Sequence, residues 1–98
     1  MYVYLLSNDN INYKIGISKN PNKRIKQLQT GNDQQLEIIK IYKSEKYFKK
    51  IEYTLHNTYA YKNVLNEWFQ LDDVEITQFE DLCEKIENTF IFMDQNKI

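Results

Sequence analysis

Glu52 is a charged residue at a position where the sequence predicts an apolar helix face. The residues around it recur at helical spacing and form a stripe that consists of Phe48, Ile51, Leu55 and Tyr59. On a helical wheel Glu52 falls inside this stripe, where a carboxylate is costly unless it is paired or binds a cation. Two interpretations follow. Glu52 is a metal ligand, or it lies at the rim of the stripe and reaches water or a nearby lysine.

His56, the only histidine in the chain, lies four residues after Glu52 and on the same side of the predicted helix. A Glu-x-x-x-His pair can contribute to a metal site, but two residues do not complete a zinc site. A histidine at the edge of a core can equally well hydrogen-bond to a local group. The single cysteine, Cys83, excludes both an internal disulfide and a cysteine-based zinc cluster.

Arg24 is the only arginine in the chain, and it lies in a predicted helix beside Ile25. Its guanidinium offers a phosphate group a planar, bidentate fork, whereas a lysine offers a point charge. The basic residues nearest to it in sequence are Lys19, Lys23 and Lys26. These four residues are candidates for binding a nucleic-acid backbone, although solvated helix surfaces carry such charges as well.

Two predicted strands bring further polar groups close together. Tyr4 and Lys14 lie on neighbouring strands of a predicted hairpin, and Gly16 lies two residues beyond Lys14. A glycine inside a strand often marks the close approach of another group. Tyr4 is either a core aromatic residue or presents its hydroxyl to a site. Further along the chain, Trp68 is expected to anchor the core.

The elements that must position these residues follow from apolar periodicity, turn residues and helix caps. The predicted order begins with strands at 2–7 and 13–18, a helix from Asn20 to Thr30 and a strand at 36–43. A second helix, capped by Ser44, runs to about Tyr59 and is followed by a loop at 60–66 and a short strand or turn at 68–71. A third helix runs to about Met93 and begins with a capping box formed by Asp72 and Glu75. Because short strands cannot bury themselves, helices must pack on the sheet. We therefore predict an α+β fold. A small three-stranded antiparallel sheet flanked by helices occupies residues 1–71, and an added C-terminal amphipathic helix at 72–98 packs on the same domain.

The charge distribution along the 98 residues is uneven, although the net charge is only −1. Residues 1–62 carry eleven basic and five acidic side chains, whereas residues 63–98 carry two basic and nine acidic ones. A basic first part is typical of a surface that binds a polyanion, and it also occurs on ordinary mixed surfaces. We find neither a membrane-spanning stretch nor a signal-peptide pattern, and we therefore expect an intracellular protein without membrane contact.

Taken together, these residues resemble the motifs of the GIY-YIG nuclease superfamily, and more closely its short phage and viral branch, in which KIG replaces YIG. The matching segments are Tyr2–Tyr4 at GIY, Tyr13–Gly16 at YIG, residues 20–31 at the helix that carries the catalytic arginine, Ile51–His56 at E-x-x-L-H, and Glu67–Phe69 at an EWF triplet. The resemblance covers residues 1–71 and implies the same three-stranded antiparallel sheet.

The resemblance implies a divalent-metal-dependent endonuclease that hydrolyses DNA phosphodiester bonds. Tyr4 would position or activate the attacking water, and Lys14 would take the place of the second tyrosine of the family. Arg24 would stabilise charge on the phosphate, and Glu52 would hold one Mg²⁺ or Mn²⁺ ion. The DNA backbone would be contacted by Lys19, Lys23 and Lys26.

The sequence departs from the family pattern at one position that matters for the chemistry. Four residues after Arg24, where many members carry a histidine or a tyrosine, stands Leu28, which has no proton chemistry. His56 or Tyr13 could give additional support. Two alternatives therefore stay open. One is a catalytically weak or inactive nucleic-acid-binding module, and the other is a protein-interaction regulator encoded by a mobile element, docking through the acidic third helix. The apolar face of that helix could also form a homodimer.

Overall fold

An antiparallel sheet of five strands runs through the protein, whose computed structural model describes residues 1–96. The strands are β1 (Tyr2–Ser7), β2 (Asn12–Ser18), β3 (Glu37–Lys43), β4 (Asn63–Leu65) and β5 (Trp68–Gln70), in the sheet order β3-β1-β2-β5-β4. The helices are α1 (Pro21–Gln29), α2 (Phe48–Thr58), α3 (Asp73–Thr77) and α4 (Phe79–Asn96), with a 3₁₀ turn at Ala60–Lys62. The predicted α+β fold is confirmed. Residues 97 and 98 of the predicted C-terminal helix lie outside the described residues.

β1 and β2 form the central hairpin of the sheet, as the sequence predicts. The Ser7 hydroxyl accepts a hydrogen bond from the backbone N–H of Asn10 at 2.9 Å, and the Asp9 carboxylate accepts two more from N–H groups on the far side of the turn. Asn10 has a φ of 58°, which asparagine tolerates better than most residues. The turn thereby fixes the register of the hairpin, in which Tyr4 is opposite Gly16.

α1 begins and ends where its cap residues predict. The side chain of Asn20 accepts a hydrogen bond from the N–H of Lys23 at 3.1 Å, and Pro21 occupies the first helical position. The helix ends at Gln29, and Gly31 follows with a φ of 79°, a left-handed conformation that glycine adopts without strain. These local signals therefore suffice to set both ends of the helix.

The sheet has two short strands in addition to the three of the predicted sheet, and β5 lies where a short strand or turn was predicted, whereas β4 was not predicted. Residues 60–66, expected to be a loop, contain the 3₁₀ turn and β4, and β5 pairs with both β4 and β2. Asn66 turns the β4–β5 hairpin with a φ of 51°, and the Asn63 side-chain amide donates to the carbonyls of Asn66 and Trp68 at 2.7 and 3.1 Å. A strand of three residues is too short to show an alternating pattern, and for this reason the sequence did not predict β4.

The second and third predicted helices both have different limits. α2 begins at Phe48 rather than next to Ser44. The Ser44 hydroxyl accepts from the N–H of Tyr47 in the turn before the helix and also donates to Glu87 of α4. The predicted third helix is divided at Gln78 into α3 and α4. Its predicted cap is confirmed, since Asp72 and Glu75 form a reciprocal capping box at the start of α3.

Both faces of the sheet are covered, and the alternation of side chains along β1 divides the core into two layers. Val3 and Leu5 lie in the layer formed with α2 and α4, which we call the α2 face. Tyr4 and Leu6 lie in a smaller layer with residues of α1, which we call the α1 face. Full burial of one such side chain contributes roughly 1.5–3 kcal/mol, so the larger α2 face supplies most of the stability.

α4 packs with its first half on the sheet. Phe79, Cys83 and Ile86 are buried against the α2 face, whereas Met93 at the far end of the predicted apolar stripe is exposed. Packing on its own domain therefore accounts for the buried part of that stripe. No helix within residues 1–96 is long and apolar enough to pass through a membrane.

Gly16 lies directly under the aromatic ring of Tyr4 on the α1 face. A Cβ atom at Gly16 would be 2.5 Å from the hydroxyl oxygen of Tyr4 and 2.6 Å from its Cζ, which is closer than van der Waals contact permits. Tyr4 is only 3% exposed and is enclosed by Ile25 and Leu28 of α1. The ring therefore has no free space into which it could retreat, and position 16 requires glycine for steric reasons.

Gly16→Ala should destabilise the protein by about 1–3 kcal/mol, because the added Cβ would overpack against the Tyr4 ring. Urea unfolding followed by circular dichroism measures this change. In a Tyr4→Leu background, which lacks the ring, the same substitution should cost clearly less. Equal costs in the two backgrounds would show that Tyr4 is not the reason for a glycine at this position.

Candidate functional site

The outer edge of β2 is only partly paired. β5 pairs with residues Asn12–Lys14. One residue further, the N–H of Ile15 donates to the carbonyl of Glu67 at 3.2 Å, and the carbonyl of Ile15 is 3.0 Å from Nε2 of His56. Within residues 1–96 no strand pairs with this edge from Gly16 to Ser18, which we call the open edge. Side chains from the two faces of the sheet can therefore approach each other around the open edge.

Glu52 projects from α2 beside the buried residues Ile51 and Leu55 and is itself half-buried. Burial has the largest effect on the pKa of the Glu52 carboxyl and raises it. The charges of His56 and Lys14 lower this pKa, whereas the charge of Glu67 raises it. The resulting pKa lies above the ordinary value of 4.5. The carboxylate has no ion pair and no hydrogen bond among the described residues. Glu52 is therefore a partly desolvated charge without a protein partner.

Lys14 and Glu67 form an ion pair next to the open edge. The Lys14 ammonium lies 3.1 Å from the Glu67 carboxylate, and the Lys14 side chain is only 15% exposed. The ammonium is also 6.0 Å from the ring centroid of Trp68, its partner across the strands. The aromatic face and the carboxylate hold the lysine side chain in one direction. Lys14 lies on the α1 face, since it is two residues from Gly16 in the same strand.

Tyr4 is the second polar group on the α1 face. Its ring packs over Gly16, and the residues that enclose it include Ile25, Leu28 and Trp68. Leu28 is thus a packing residue of this layer, which explains why a side chain without proton chemistry occupies the position four residues after Arg24. The same packing restricts the Tyr4 hydroxyl to one position relative to β2.

His56 and Tyr13, the two residues expected to give additional support, lie in different places. A carbonyl oxygen can only accept, so Nε2 of His56 donates its hydrogen to Ile15, and the ring packs 5.1 Å from the ring of Phe69. His56 therefore borders the open edge and lies close enough to Glu52 to influence its charge. Tyr13 lies in the core of the α2 face, where burial raises its pKa. It is on the opposite side of the sheet from Tyr4 and Lys14.

Arg24 lies at the end of β2 that leads into α1. It is exposed, makes no ion pair within residues 1–96 and lines an open cleft of about 350 Å³ together with Ser18 of β2. Lys19 and Lys23 line the same cleft, whereas Lys26 lies one turn further along the exposed side of α1. The predicted basic residues are therefore arranged along one surface, and three of them converge beside the open edge.

The donor groups at this edge fit a hard divalent cation that keeps most of its own water. Mg²⁺ is commonly held by one or two carboxylates, with waters and substrate phosphate oxygens filling the other positions. Within residues 1–96 no three acidic, histidine or cysteine side chains come together into a closed metal site. Glu52 supplies the one carboxylate at the open edge that has no other partner. The described residues thus fit an open magnesium site, in which one carboxylate is enough.

The structure brings most of the predicted residues to one region, and it adds Glu67. Lys14 and His56 lie close enough to Glu52 to influence its pKa, and His56 borders the open edge. Tyr4 lies on the neighbouring strand β1, and Arg24 borders the far end of β2. The ion pair of Glu67 was not foreseen. In the sequence, Glu67 is a single acidic residue before the apolar pair Trp68 and Phe69. That pattern points to Lys14 only when β5 is known to lie beside β2.

Comparison with known proteins gives one family for this chain. Residues 1–87 match the T5orf172 domain, a phage-associated, nuclease-like domain. The match includes the whole sheet, the open edge and the first half of α4, and so it extends beyond the predicted boundary at residue 71. Neither the curated proteins nor the solved structures contain a match. Because the family match spans most of the chain, the protein belongs to the T5orf172 domain family.

Proposed function

We propose that the protein is a divalent-metal-dependent endonuclease of the GIY-YIG type that hydrolyses DNA phosphodiester bonds. The observation that carries the proposal is the half-buried Glu52 carboxylate, which has no partner among the described residues and lies close enough to His56 and Lys14 for their charges to affect its pKa. A charge in such a place costs stability unless a ligand compensates it. The membership of a nuclease-like family supports the same class of reaction.

Glu52 is the residue that would hold Mg²⁺ or Mn²⁺. When bound, the ion supplies a Lewis acid beside the phosphate and neutralises developing negative charge. Glu67 adds a second carboxylate, which lies close enough to raise the pKa of Glu52. Lys14 balances part of this negative charge through its ion pair with Glu67, and the site can therefore accept an anionic substrate next to the cation.

Tyr4 and Lys14 would act on the attacking water and on the phosphate. The Tyr4 hydroxyl, fixed by its packing on Gly16, can orient a water molecule through a hydrogen bond. The Lys14 ammonium, aligned by Glu67, can donate to a non-bridging phosphate oxygen, where negative charge increases during the reaction. Both groups are held before the substrate binds, so little reorganisation is needed.

Arg24 and its neighbours would bind the DNA strand. The guanidinium has no partner within residues 1–96 and can form two parallel hydrogen bonds with a phosphate. Lys19 and Lys23 in the same cleft, with Lys26 further along α1, would add contacts to adjacent phosphates. We infer that the DNA backbone runs along α1 toward the open edge.

A second candidate function is favoured by Leu28. This residue is used for packing beside Tyr4, and no side chain of α1 near Arg24 can transfer a proton at neutral pH. A catalytically weak or inactive DNA-binding module on the same fold would keep the basic surface and lose only the reaction. Such a module would bind DNA in a salt-sensitive manner without any need for a metal ion.

Purified protein should nick supercoiled plasmid DNA with Mg²⁺ or Mn²⁺ and not with EDTA. Glu52→Gln should lower the rate by about 100-fold or more, and Arg24→Lys should lower it by a similar order because the bidentate geometry is lost. Agarose gels of time courses measure both effects.

Glu45→Gln is the matched control, since Glu45 carries the same carboxylate at an exposed position. Cutting that persists in EDTA, or in Glu52→Gln, would contradict the assigned roles, and salt-sensitive binding without cutting would select the binding module.

Glu52→Gln should raise the free energy of unfolding at neutral pH. The pKa of Glu52 is higher in the folded protein than its ordinary value of 4.5, so the ionised form destabilises the fold above that raised pKa. Below about pH 4 the wild-type side chain is neutral in both states, and the advantage of glutamine should disappear. Urea unfolding across this pH range tests the sign. A glutamine variant that is less stable at neutral pH would show that Glu52 is compensated within the protein.

Glu67→Gln should reduce turnover by about 10-fold with little effect on KM, because the variant loses the group that aligns Lys14. In a Lys14→Met background the same substitution should have almost no effect on turnover, since the two residues act as a unit. Single-turnover cleavage of a labelled oligonucleotide gives these rates. Glu80→Gln, which breaks a similar ion pair with Lys40 away from the site, is the control. Equal losses in both backgrounds would separate Glu67 from Lys14.

A further inference from the structure

A groove lies between the β4–β5 hairpin and the β1–β2 turn, and the proposed reaction makes no use of it. Its volume is about 290 Å³, and it is lined by residues that include Asn8, Asn12, Gln34, Val64, Leu65 and Trp68. We call it the hairpin groove. Asn12 and Trp68 share the α1 face with Lys14, from which they are two residues away in β2 and directly across in β5. The hairpin groove therefore continues the surface on which Tyr4 and Lys14 lie.

One wall of the hairpin groove is apolar and the other carries amides. Val64 and Leu65 are 56% and 64% exposed, and the partly buried Trp68 lies beside them. Across from them, the side chains of Asn8 and Gln34 make no hydrogen bond among the described residues, so their donors and acceptors are free. A nucleobase has the complementary chemistry, because its faces are flat and apolar and its edge alternates donors and acceptors.

Asp9 is the charged residue among the described residues that line the hairpin groove, and its carboxylate is already hydrogen-bonded within the turn. Asp9 accepts from the backbone N–H groups of Ile11 and Asn12 at 2.9 and 2.8 Å, and from the Asn12 side chain at 3.2 Å. The hydrogen bond from the Asn12 N–H is the largest influence on its pKa, which lies below the ordinary value. Asp9 thus remains an ionised carboxylate whose oxygens are used by the turn, and the stacking surface of the groove is supplied by its apolar wall.

The walls of the hairpin groove are fixed before anything binds. The Asn63 side chain bridges the carbonyls of Asn66 and Trp68 and so holds the β4–β5 hairpin, while Ser7 and Asp9 hold the opposite turn. A preformed groove requires little ordering of side chains on binding. Exposed apolar residues on a rigid hairpin can therefore contribute their full contact with a stacked base.

The position of Lys14 identifies which base would enter. Its ammonium is 6.0 Å from the ring centroid of Trp68, so a phosphate bound to Lys14 places an adjoining nucleotide within reach of the indole. We propose that the hairpin groove binds an unpaired nucleobase adjacent to the phosphate held at Lys14. This inference rests on the proposed nuclease function and makes the substrate DNA with an unpaired base beside the cleavage site. A base in an intact duplex has both its faces and its edge occupied.

Trp68 is the only tryptophan in the chain, and its fluorescence therefore reports the groove directly. Oligonucleotides with a single bulged base should quench this fluorescence in EDTA, whereas the matching perfect duplex should not. Leu65→Ala should weaken the binding of the bulged DNA by about 10-fold, in line with the loss of one stacked base. Val74→Ala is the matched control, because Val74 is 61% exposed and lies on α3 away from the groove. Anisotropy of labelled DNA measures total binding in the same samples.

The outcomes separate this inference from the proposed function. Quenching by bulged DNA alone, together with weaker binding of Leu65→Ala but not of Val74→Ala, would support a base in the hairpin groove. Binding by anisotropy without quenching, or equal quenching by both DNA forms, would overturn the groove and leave the nuclease proposal standing. Absence of binding to every DNA form would overturn both.

Discussion

The packing of the Tyr4 ring over Gly16 is the contact on which the rest of the α1 face depends. β1 and β2 are neighbours in the centre of the sheet, and the ring is enclosed between Gly16 below and Ile25 and Leu28 above. A side chain at position 16 would force the ring to shift within a cluster against which Ile25 and Leu28 of α1 pack. One steric constraint therefore links the position of the Tyr4 hydroxyl to the packing of the helix that carries Arg24.

Three half-buried glutamates show how differently this protein treats its carboxylates. Burial raises the pKa of Glu75, but hydrogen bonds from Lys62, from the Asp72 backbone and from Tyr61 outweigh it and bring the pKa below the ordinary value. Glu87 accepts hydrogen bonds from the hydroxyls of Tyr42 and Ser44. Glu52 receives no such bond, and its pKa stays raised. Since the fold satisfies the other two, the lack of a partner at Glu52 is a local exception of the kind that functional sites produce.

The extent to which the sequence predicts the structure depends on the range of the interactions involved. The limits of α1 and the capping box of Asp72 are decided within four residues, and both were predicted. The start of α2 was predicted too early in the chain, and the bond from the Ser44 hydroxyl to Glu87, 43 residues away, could not be read from local pattern. The ion pair of Lys14 and Glu67 requires the pairing of β2 with β5, and that pairing depends on tertiary structure rather than on local pattern.

Tyr13 and Lys14 were both candidate site residues, and the alternation of side chains along β2 places them on opposite faces of the sheet.

The leucine at position 28 is consistent with chemistry that comes from the other side of the site. α1 contributes charge through Arg24 and packing through Leu28, whereas the groups with exchangeable protons at the open edge belong to β2 and α2, namely Lys14 and His56. These two lie near Glu52 close to the point where β5 begins, at Trp68 opposite Lys14, and no described strand pairs with this edge of β2 beyond Ile15. A β5 that began earlier in the chain would extend the hydrogen bonding along β2 and would cover the open edge. The shortness of this strand is therefore a structural requirement of the proposed site rather than an irregularity of the sheet.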